Sequence, residues 1–129
     1  MASALYPSFK QALLGGDIDL AADDIRAVIV DTADYTYSAA HDFLDDVAAG
    51  ARVAASSALG SKTITGGVFD AADVTFSAVT GDSVEAIVLY KHTGSDATAS
   101  LIAYIDGVSV TPNGGDLTAS WHASGIFAL

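Results

Sequence analysis

Cysteine is absent from this sequence of 129 residues. Without cysteine the chain can form neither a disulfide framework nor a thiolate metal site. No apolar run approaches the roughly 20 residues that a membrane-spanning helix needs. The N-terminus also lacks a basic stretch followed by a long apolar one, which would mark a secretory signal. We therefore expect a soluble protein that contacts no membrane.

Basic side chains are scarce. Five residues are lysine or arginine and 16 are aspartate or glutamate, which gives a net charge of −11. Proteins that bind nucleic acid neutralise phosphates with lysine and arginine, so this chain should repel DNA and RNA. Nine of the acids fall between Asp17 and Asp46, where Arg26 is the only base. This charge favours solubility or attachment to a basic partner.

Charged residues of either sign make up only 16% of the chain, whereas 51% of the residues are hydrophobic. Many of the hydrophobic residues are alanines, which add little apolar surface each. Even so, few charges are available to cover the outside, and we expect part of the surface to meet another subunit. The length fits one domain over residues 1–129.

A short helix is predicted near the N-terminus. Pro7 suits a first helical position, and Phe9 and Leu13 share one helical face. The pair Gly15-Gly16 ends the segment.

A second short helix is predicted between Ser38 and Gly50. Ser38 is a good capping residue, and glycine is typical just beyond a helix end. Phe43 and Val47, four residues apart, would lie on one side of this helix.

The rest of the chain has the period-two pattern of strands. In residues 73–79, Val74 and Phe76 alternate with Thr75, which predicts a strand with one wet face. Residues 84–91 and 99–106 are apolar on both faces, as in central strands. The other predicted strands are 25–31, 52–59, 62–70, 117–121 and 126–129.

Turn signals separate these segments, and about seven or eight strands result. The predicted fold is mainly β: an antiparallel β-sandwich or partly closed barrel, with the two short helices near the N-terminus.

Histidines are common metal ligands, and the chain has three, His41, His92 and His122. A zinc site usually includes two histidines three or four residues apart, and no such pair exists. They are interpreted as surface or interface residues.

Two clusters of aspartates offer carboxylate oxygens, which are typical calcium ligands. The first contains Asp17, Asp19, Asp23 and Asp24, but the spacing of an EF-hand loop fails from Asp17 onwards. Turn formation before the strand at Ile25 is the favoured interpretation. The second group, Asp42, Asp45 and Asp46, is interpreted as the solvated face of the second helix.

Catalytic patterns are weak. Ser120 and His122 would share one face of a strand, but no G-x-S-x-G motif supports a nucleophile. Glu85 lies in an apolar strand, where its pKa could be raised as in a general acid. The favoured interpretation is that Glu85 pairs with a cross-strand cation or lies on a rim.

The segment Gly60-Ser61-Lys62-Thr63 lacks the glycine that a phosphate loop places directly before its lysine. Tyr35 and Tyr37 point to one side of an extended segment, and together with Trp121 they could mark a binding face. A core or subunit contact is favoured, because no basic neighbours accompany them. No catalytic, metal or cofactor site is predicted.

An ordered series of motifs runs over nearly the whole chain. The longest are LGGDID at 14–19, VDTADY at 30–35, HDFLDD at 41–46, LIAYID at 101–106 and VTPNGGD at 110–116. Shorter ones lie at 4–6, 24–28, 51–53, 68–70, 73–76, 85–88, Trp121 and 126–127. In these motifs the chain resembles a family of small virion structural proteins of tailed bacteriophages.

The resemblance implies a virion structural role without enzymatic activity. Within that role, a capsid cement or decoration protein is favoured, acting as a homotrimer on the outer capsid surface with the major capsid protein as its partner. A tail, baseplate or fibre-associated module that binds a receptor is the alternative. A small hydrolase that uses Ser120 and His122 is a third hypothesis.

Overall fold

The computed structural model describes residues 3–129 and contains strands in three antiparallel sheets. The strands are β1 (Ala4–Leu5), β2 (Ile25–Val30), β3 (Arg52–Ala55), β4 (Thr63–Thr65), β5 (Val68–Asp70), β6 (Val74–Phe76), β7 (Ala86–Lys91), β8 (Leu101–Ile105), β9 (Leu117–Ala119) and β10 (Phe127–Ala128). One α-helix, α1 (Pro7–Leu14), follows β1. The fold is mainly β and sandwich-like rather than a closed barrel.

The largest sheet has the strand order β1-β8-β7-β2-β3. Strands β2 and β7 pair along their full lengths, from Ile25 opposite Lys91 to Val30 opposite Ala86. Strands β7 and β8 are buried over almost every residue, because sheet neighbours flank them and other segments cover both of their faces. The prediction that these two apolar segments form central strands is confirmed.

Two smaller sheets pack beside this one. They have the orders β10-β5-β4 and β6-β9. Ile29 and Ile87 of the large sheet line a small cavity with Phe76 of β6 and Leu117 of β9. Phe127 of β10 contacts both Phe9 of α1 and Phe69 of β5, with ring centroids 5.7 Å and 5.3 Å apart. One continuous apolar core therefore joins the helix and the sheets.

The predicted strand at 62–70 is a hairpin. Gly66 and Gly67 have φ angles of +60° and +80°, and Thr65 pairs directly with Val68. A two-residue turn with two positive φ angles matches the twist of antiparallel strands, and glycine adopts it without steric cost. One predicted strand therefore becomes β4 and β5.

The first predicted helix is confirmed as α1, with Pro7 in its first turn. The amide of Gly15 donates to the carbonyl of Gln11 and closes the last turn, and Gly16 follows with a φ of +82°.

The second predicted helix is wrong. Phe43 is extended and forms an antiparallel bridge with Ser100. Only two single 3₁₀ turns follow it, Leu44–Asp46 and Ala49–Ala51. The buried pair is Leu44 and Val47, three residues apart, which is the repeat of a 3₁₀ turn rather than of an α-helix.

Candidate functional site

The three histidines lie in separate environments. His41 Nδ1 is 2.9 Å from the hydroxyl of Tyr35, and His122 Nδ1 accepts the amide of Ser124 at 3.0 Å. His92 follows β7 and stands edge-on to Tyr90. Within residues 3–129, the side-chain groups that could hold a metal ion contain carboxylates and no histidine.

Ser120 and His122 lie outside the strand that was predicted to carry them, because β9 ends at Ala119. Ser120 and His122 therefore share no strand face. Ser120 Oγ donates to Asp73 Oδ2 at 3.3 Å, while His122 accepts from Ser124. A serine nucleophile depends on a hydrogen bond to its base, and each of these two side chains is bonded elsewhere.

Glu85 holds a loop in place. Its Oε1 accepts the amide of Thr32 at 3.1 Å and the hydroxyl of Thr32 at 3.0 Å. Hydrogen bonds from Ser83 and Thr32 lower the pKa of Glu85 and outweigh the opposing effect of burial. The hypothesis that Glu85 is a general acid with a raised pKa is therefore wrong. Hydrogen bonds from Thr32 and Ser83 take the place of the expected cross-strand cation.

The first acidic group forms turns, as expected. Asp19 Oδ1 accepts the amides of Ala21 and Ala22, and Asp23 Oδ2 accepts the amide of Asp19. That backbone hydrogen bond, with a smaller effect from Lys91 Nζ at 3.2 Å, lowers the pKa of Asp23.

Asp24 closes this segment with a two-point contact. Arg26 donates to its carboxylate through Nε at 3.0 Å and through Nη2 at 2.9 Å. These hydrogen bonds lower the pKa of Asp24 and fix the chain at the start of β2.

Among residues 3–129, two sets of three aspartates have carboxylate oxygens within 4.8 Å of one another and could hold a hard cation. One set is Asp31, Asp34 and Asp82, and the other is Asp42, Asp45 and Asp46. Asp31 directly follows β2, and Asp82 shortly precedes its partner β7, so the sheet brings them together. Both groups also serve turns, because Asp31 Oδ1 accepts the amide of Ala33 and Asp46 Oδ2 accepts the amide of Asp42.

Four tyrosines form a cluster at the edge of the large sheet. We call Tyr6, Tyr35, Tyr37 and Tyr104 the tyrosine cluster. Ring centroids are 4.9 Å apart for Tyr6 and Tyr37, and 5.6 Å apart for Tyr37 and Tyr104. Of the two favoured interpretations, a core contact or a subunit contact, the core contact is confirmed: Tyr35 is buried and Tyr37 packs against the core. The sequence pattern did not reveal that Tyr6 and His41 join them.

Basic side chains are engaged within the fold. Arg52 donates to the carbonyls of Leu44 and Val47 and to Asp96 Oδ2, the last at 2.7 Å. Lys62 donates to the carbonyl of Asp23, and Lys91 to that of Asp17. Arg26 pairs with Asp24 as described above, so four of the five basic side chains are engaged. These side chains bind backbone carbonyls and aspartates of nearby loops and do not form a basic patch.

Apolar side chains remain at the surface. Leu14, Ile64 and Leu129 are 89%, 52% and 69% exposed. Ile64 and Leu129 line a groove of about 380 Å³ together with Leu13, Gly16, Ile18, Asp19, Leu20, Gly67, Phe69 and Phe127. We call this the β4 groove. No sequence pattern identified it, because its members lie on α1, the loop after α1, the β4–β5 hairpin and the C-terminal strand.

A different groove, of about 350 Å³, collects polar side chains. Arg52, Tyr90, His92 and Asp96 lie on its wall. Its arginine and aspartate are already bonded to each other, so the groove offers a ligand a neutral pair rather than a free charge.

No helix among the described residues is long and apolar enough to cross a membrane. No protein-family model matches the chain, and no curated protein sequence is significantly similar to it.

Proposed function

We propose that this chain is a non-enzymatic structural protein of a phage virion: a capsid cement or decoration protein that binds and stabilises the outer surface of the assembled capsid as a homo-oligomer. A homotrimer is the expected form. The proposal starts from the resemblance in the sequence motifs, and the distribution of side chains on the structure supports it.

The observation that carries the proposal is the contrast between engaged polar groups and unengaged apolar ones. Glu85, Ser120 and Arg52 each hold a loop or a strand end, whereas Ile64 and Leu129 are left half or more exposed around a groove. Both side chains line one groove, and a contiguous apolar surface of this kind favours a contact with another protein. The polar side chains therefore stabilise the fold, and the exposed apolar side chains offer a surface for contact with another protein.

The charge of the chain suits the outside of a capsid. A subunit with a net charge of −11 is repelled by packaged nucleic acid and is more stable on the outer face of a shell. A protein that binds only the assembled lattice lowers the free energy of that state by mass action. Several weak contacts from one oligomer add through effective concentration, so no single strong contact is required.

Rebinding to stripped capsids tests this function. Capsids of the phage that encodes the chain are depleted of it, and purified protein is added back while capsid thermal stability is recorded. We expect saturable binding and an increase in the temperature at which the capsid disrupts. A monomer with no affinity for the capsid would overturn the proposal.

Copy number separates the shell from the tail. Hundreds of copies per particle, measured by quantitative mass spectrometry of purified virions, would support a place on the capsid. A handful of copies would instead support a tail, baseplate or fibre-associated module.

A further inference from the structure

Strand β4 is an open sheet edge. It lies at the end of the order β10-β5-β4, and all three of its residues, Thr63–Thr65, are exposed. Among residues 3–129, its backbone pairs only with β5. The N–H and C=O groups along the other side of such a strand can pair with another chain. The strand carries no charge and no proline that would block this pairing.

The apolar side chain of β4 faces the β4 groove. Ile64 pairs directly with Phe69, so both side chains lie on the same face of the hairpin. Phe69 is buried, whereas Ile64, one strand further out, is 52% exposed. Leu129 lies on the same groove and is 69% exposed. A chain that added to β4 would therefore also cover apolar surface.

This face carries little charge for so acidic a chain. Residues 117–129 contain no aspartate, glutamate, lysine or arginine, and residues 59–72 contain only Lys62 and Asp70. Of the residues that line the β4 groove, Asp19 is the one that carries a charged side chain, and its carboxylate accepts the amides of Ala21 and Ala22. A second copy with a net charge of −11 is repelled by most of the surface and less strongly here. The charge distribution thus favours a second copy of this chain as the occupant.

We propose that a second copy of this chain adds an edge strand to β4 and buries Ile64 and Leu129 in the β4 groove. This inference rests on the homo-oligomer of the proposed function and assigns its subunit contact. Stable interfaces bury about 800 Å² on each partner. Three strand residues cannot supply that area alone, so the groove is part of the contact.

The variant Ile64→Asp tests the contact, and Val110→Asp is its matched control. Val110 is also a branched, exposed apolar residue, at 36%, and it lies outside the β4 groove. Sedimentation over a range of concentrations measures the mass of each protein. Wild type and Val110→Asp should be oligomers at concentrations where Ile64→Asp is a monomer. Circular dichroism verifies that each variant is folded.

A milder variant keeps the test valid if Ile64→Asp fails to fold. Ile64→Thr retains the branched side chain that a strand favours but removes apolar surface. We expect its subunit dissociation constant to rise roughly tenfold, from the loss of apolar burial. An unchanged dissociation constant in folded Ile64→Thr would overturn the inference.

Failure of this contact and failure of the proposed function give different results. An oligomer that binds capsids and is unaffected by Ile64→Asp overturns the β4 contact alone. A wild-type oligomer that Ile64→Asp dissociates, but that has no affinity for capsids, supports the contact and overturns the capsid role. If the wild type is a dimer and Ile64→Asp dissociates it, the β4 contact is supported and the three-fold arrangement is overturned. A wild-type monomer at every concentration overturns the contact.

Discussion

The hydroxyl of Tyr6 lies 2.6 Å from the hydroxyl of Tyr35, and this buried hydrogen bond joins residues 29 positions apart in the sequence. Tyr35 also bonds to His41 Nδ1 at 2.9 Å. When Nδ1 carries no proton, Tyr6 donates to Tyr35 and Tyr35 donates to His41, so both hydroxyl protons are used. The contact fastens the loop after β2 onto the residue that precedes α1.

Removing the hydroxyl of Tyr35 should cost more than removing that of Tyr6. Tyr35→Phe leaves the Tyr6 hydroxyl fully buried without an acceptor, and we expect a loss of about 1–3 kcal/mol in the free energy of unfolding. Tyr6→Phe leaves Tyr35 bonded to His41 and should cost about 1 kcal/mol. Urea unfolding measures both. The double variant should be no less stable than Tyr35→Phe, and fully additive losses would contradict the shared hydrogen bond.

Alkaline pH should destabilise the fold through the tyrosines. Burial raises the pKa of Tyr6, Tyr35, Tyr90 and Tyr104. In the unfolded chain tyrosine ionises near pH 10. The folded state therefore retains protons that the unfolded state releases, so this stabilisation is complete below about pH 10 and falls as pH rises further.

Ultraviolet absorbance of tyrosinate, recorded together with circular dichroism, measures this effect. The signal from these tyrosines should appear together with unfolding. Reversible ionisation of all tyrosines near pH 10 in a folded protein would contradict the prediction.

The stability of the fold should depend on the guanidinium group of Arg52 and not only on its positive charge. Its guanidinium donates in three directions, to the carbonyls of Leu44 and Val47 and to Asp96. A lysine ammonium cannot reproduce this planar arrangement. We expect Arg52→Ala to lose about 2 kcal/mol of unfolding free energy and Arg52→Lys to recover less than half of that loss.

Hydrogen exchange should show the loss of Arg52 locally, as faster exchange of amides in the 3₁₀ turns after Phe43. Lys10→Ala is the control, because Lys10 is exposed and its side chain makes no hydrogen bond or ion pair within residues 3–129. It should change stability by less than about 0.5 kcal/mol. Full rescue by lysine would show that charge alone is sufficient.

Gly125 should not tolerate a side chain. A Cβ at this position would overlap Val68 Cγ1 and lie 3.2 Å from the carbonyl oxygen of Phe69, and the φ of Gly125 is +109°. Strain and overlap together should cost Gly125→Ala about 3 kcal/mol in urea unfolding.

Gly94→Ala separates the two causes of that loss. Gly94 has a φ of +89°, but a Cβ added at this position would have no atom within 4 Å. It should lose only the strain energy, about 1 kcal/mol. Equal losses in the two variants would show that the approach of Gly125 to β5 is unimportant.

The central strands were predictable because their side chains are apolar on both faces. No surface position in a small protein accommodates such a segment, so β7 and β8 had to lie inside the sheet. The second helix was predicted wrongly because Phe43 and Val47 have helical spacing. The backbone there pairs instead with another segment: the amide of Leu44 donates to Ala99, and that of Leu101 donates to Asp42. Tertiary pairing overrode a local pattern.

The sequence by itself determined the acidity of this protein, its β-rich character and the end of α1 at Gly15-Gly16, since these depend on composition and on near neighbours. Only the tertiary structure decided the role of each polar side chain. Glu85 became the acceptor for a threonine 53 positions earlier, and Tyr6 met Tyr35 across 29 positions. The β4 groove likewise arose where α1, the hairpin and the last strand meet. Hydrogen bonds and apolar contacts act over a few ångströms in space, and the folded sheet alone determines which distant residues come that close.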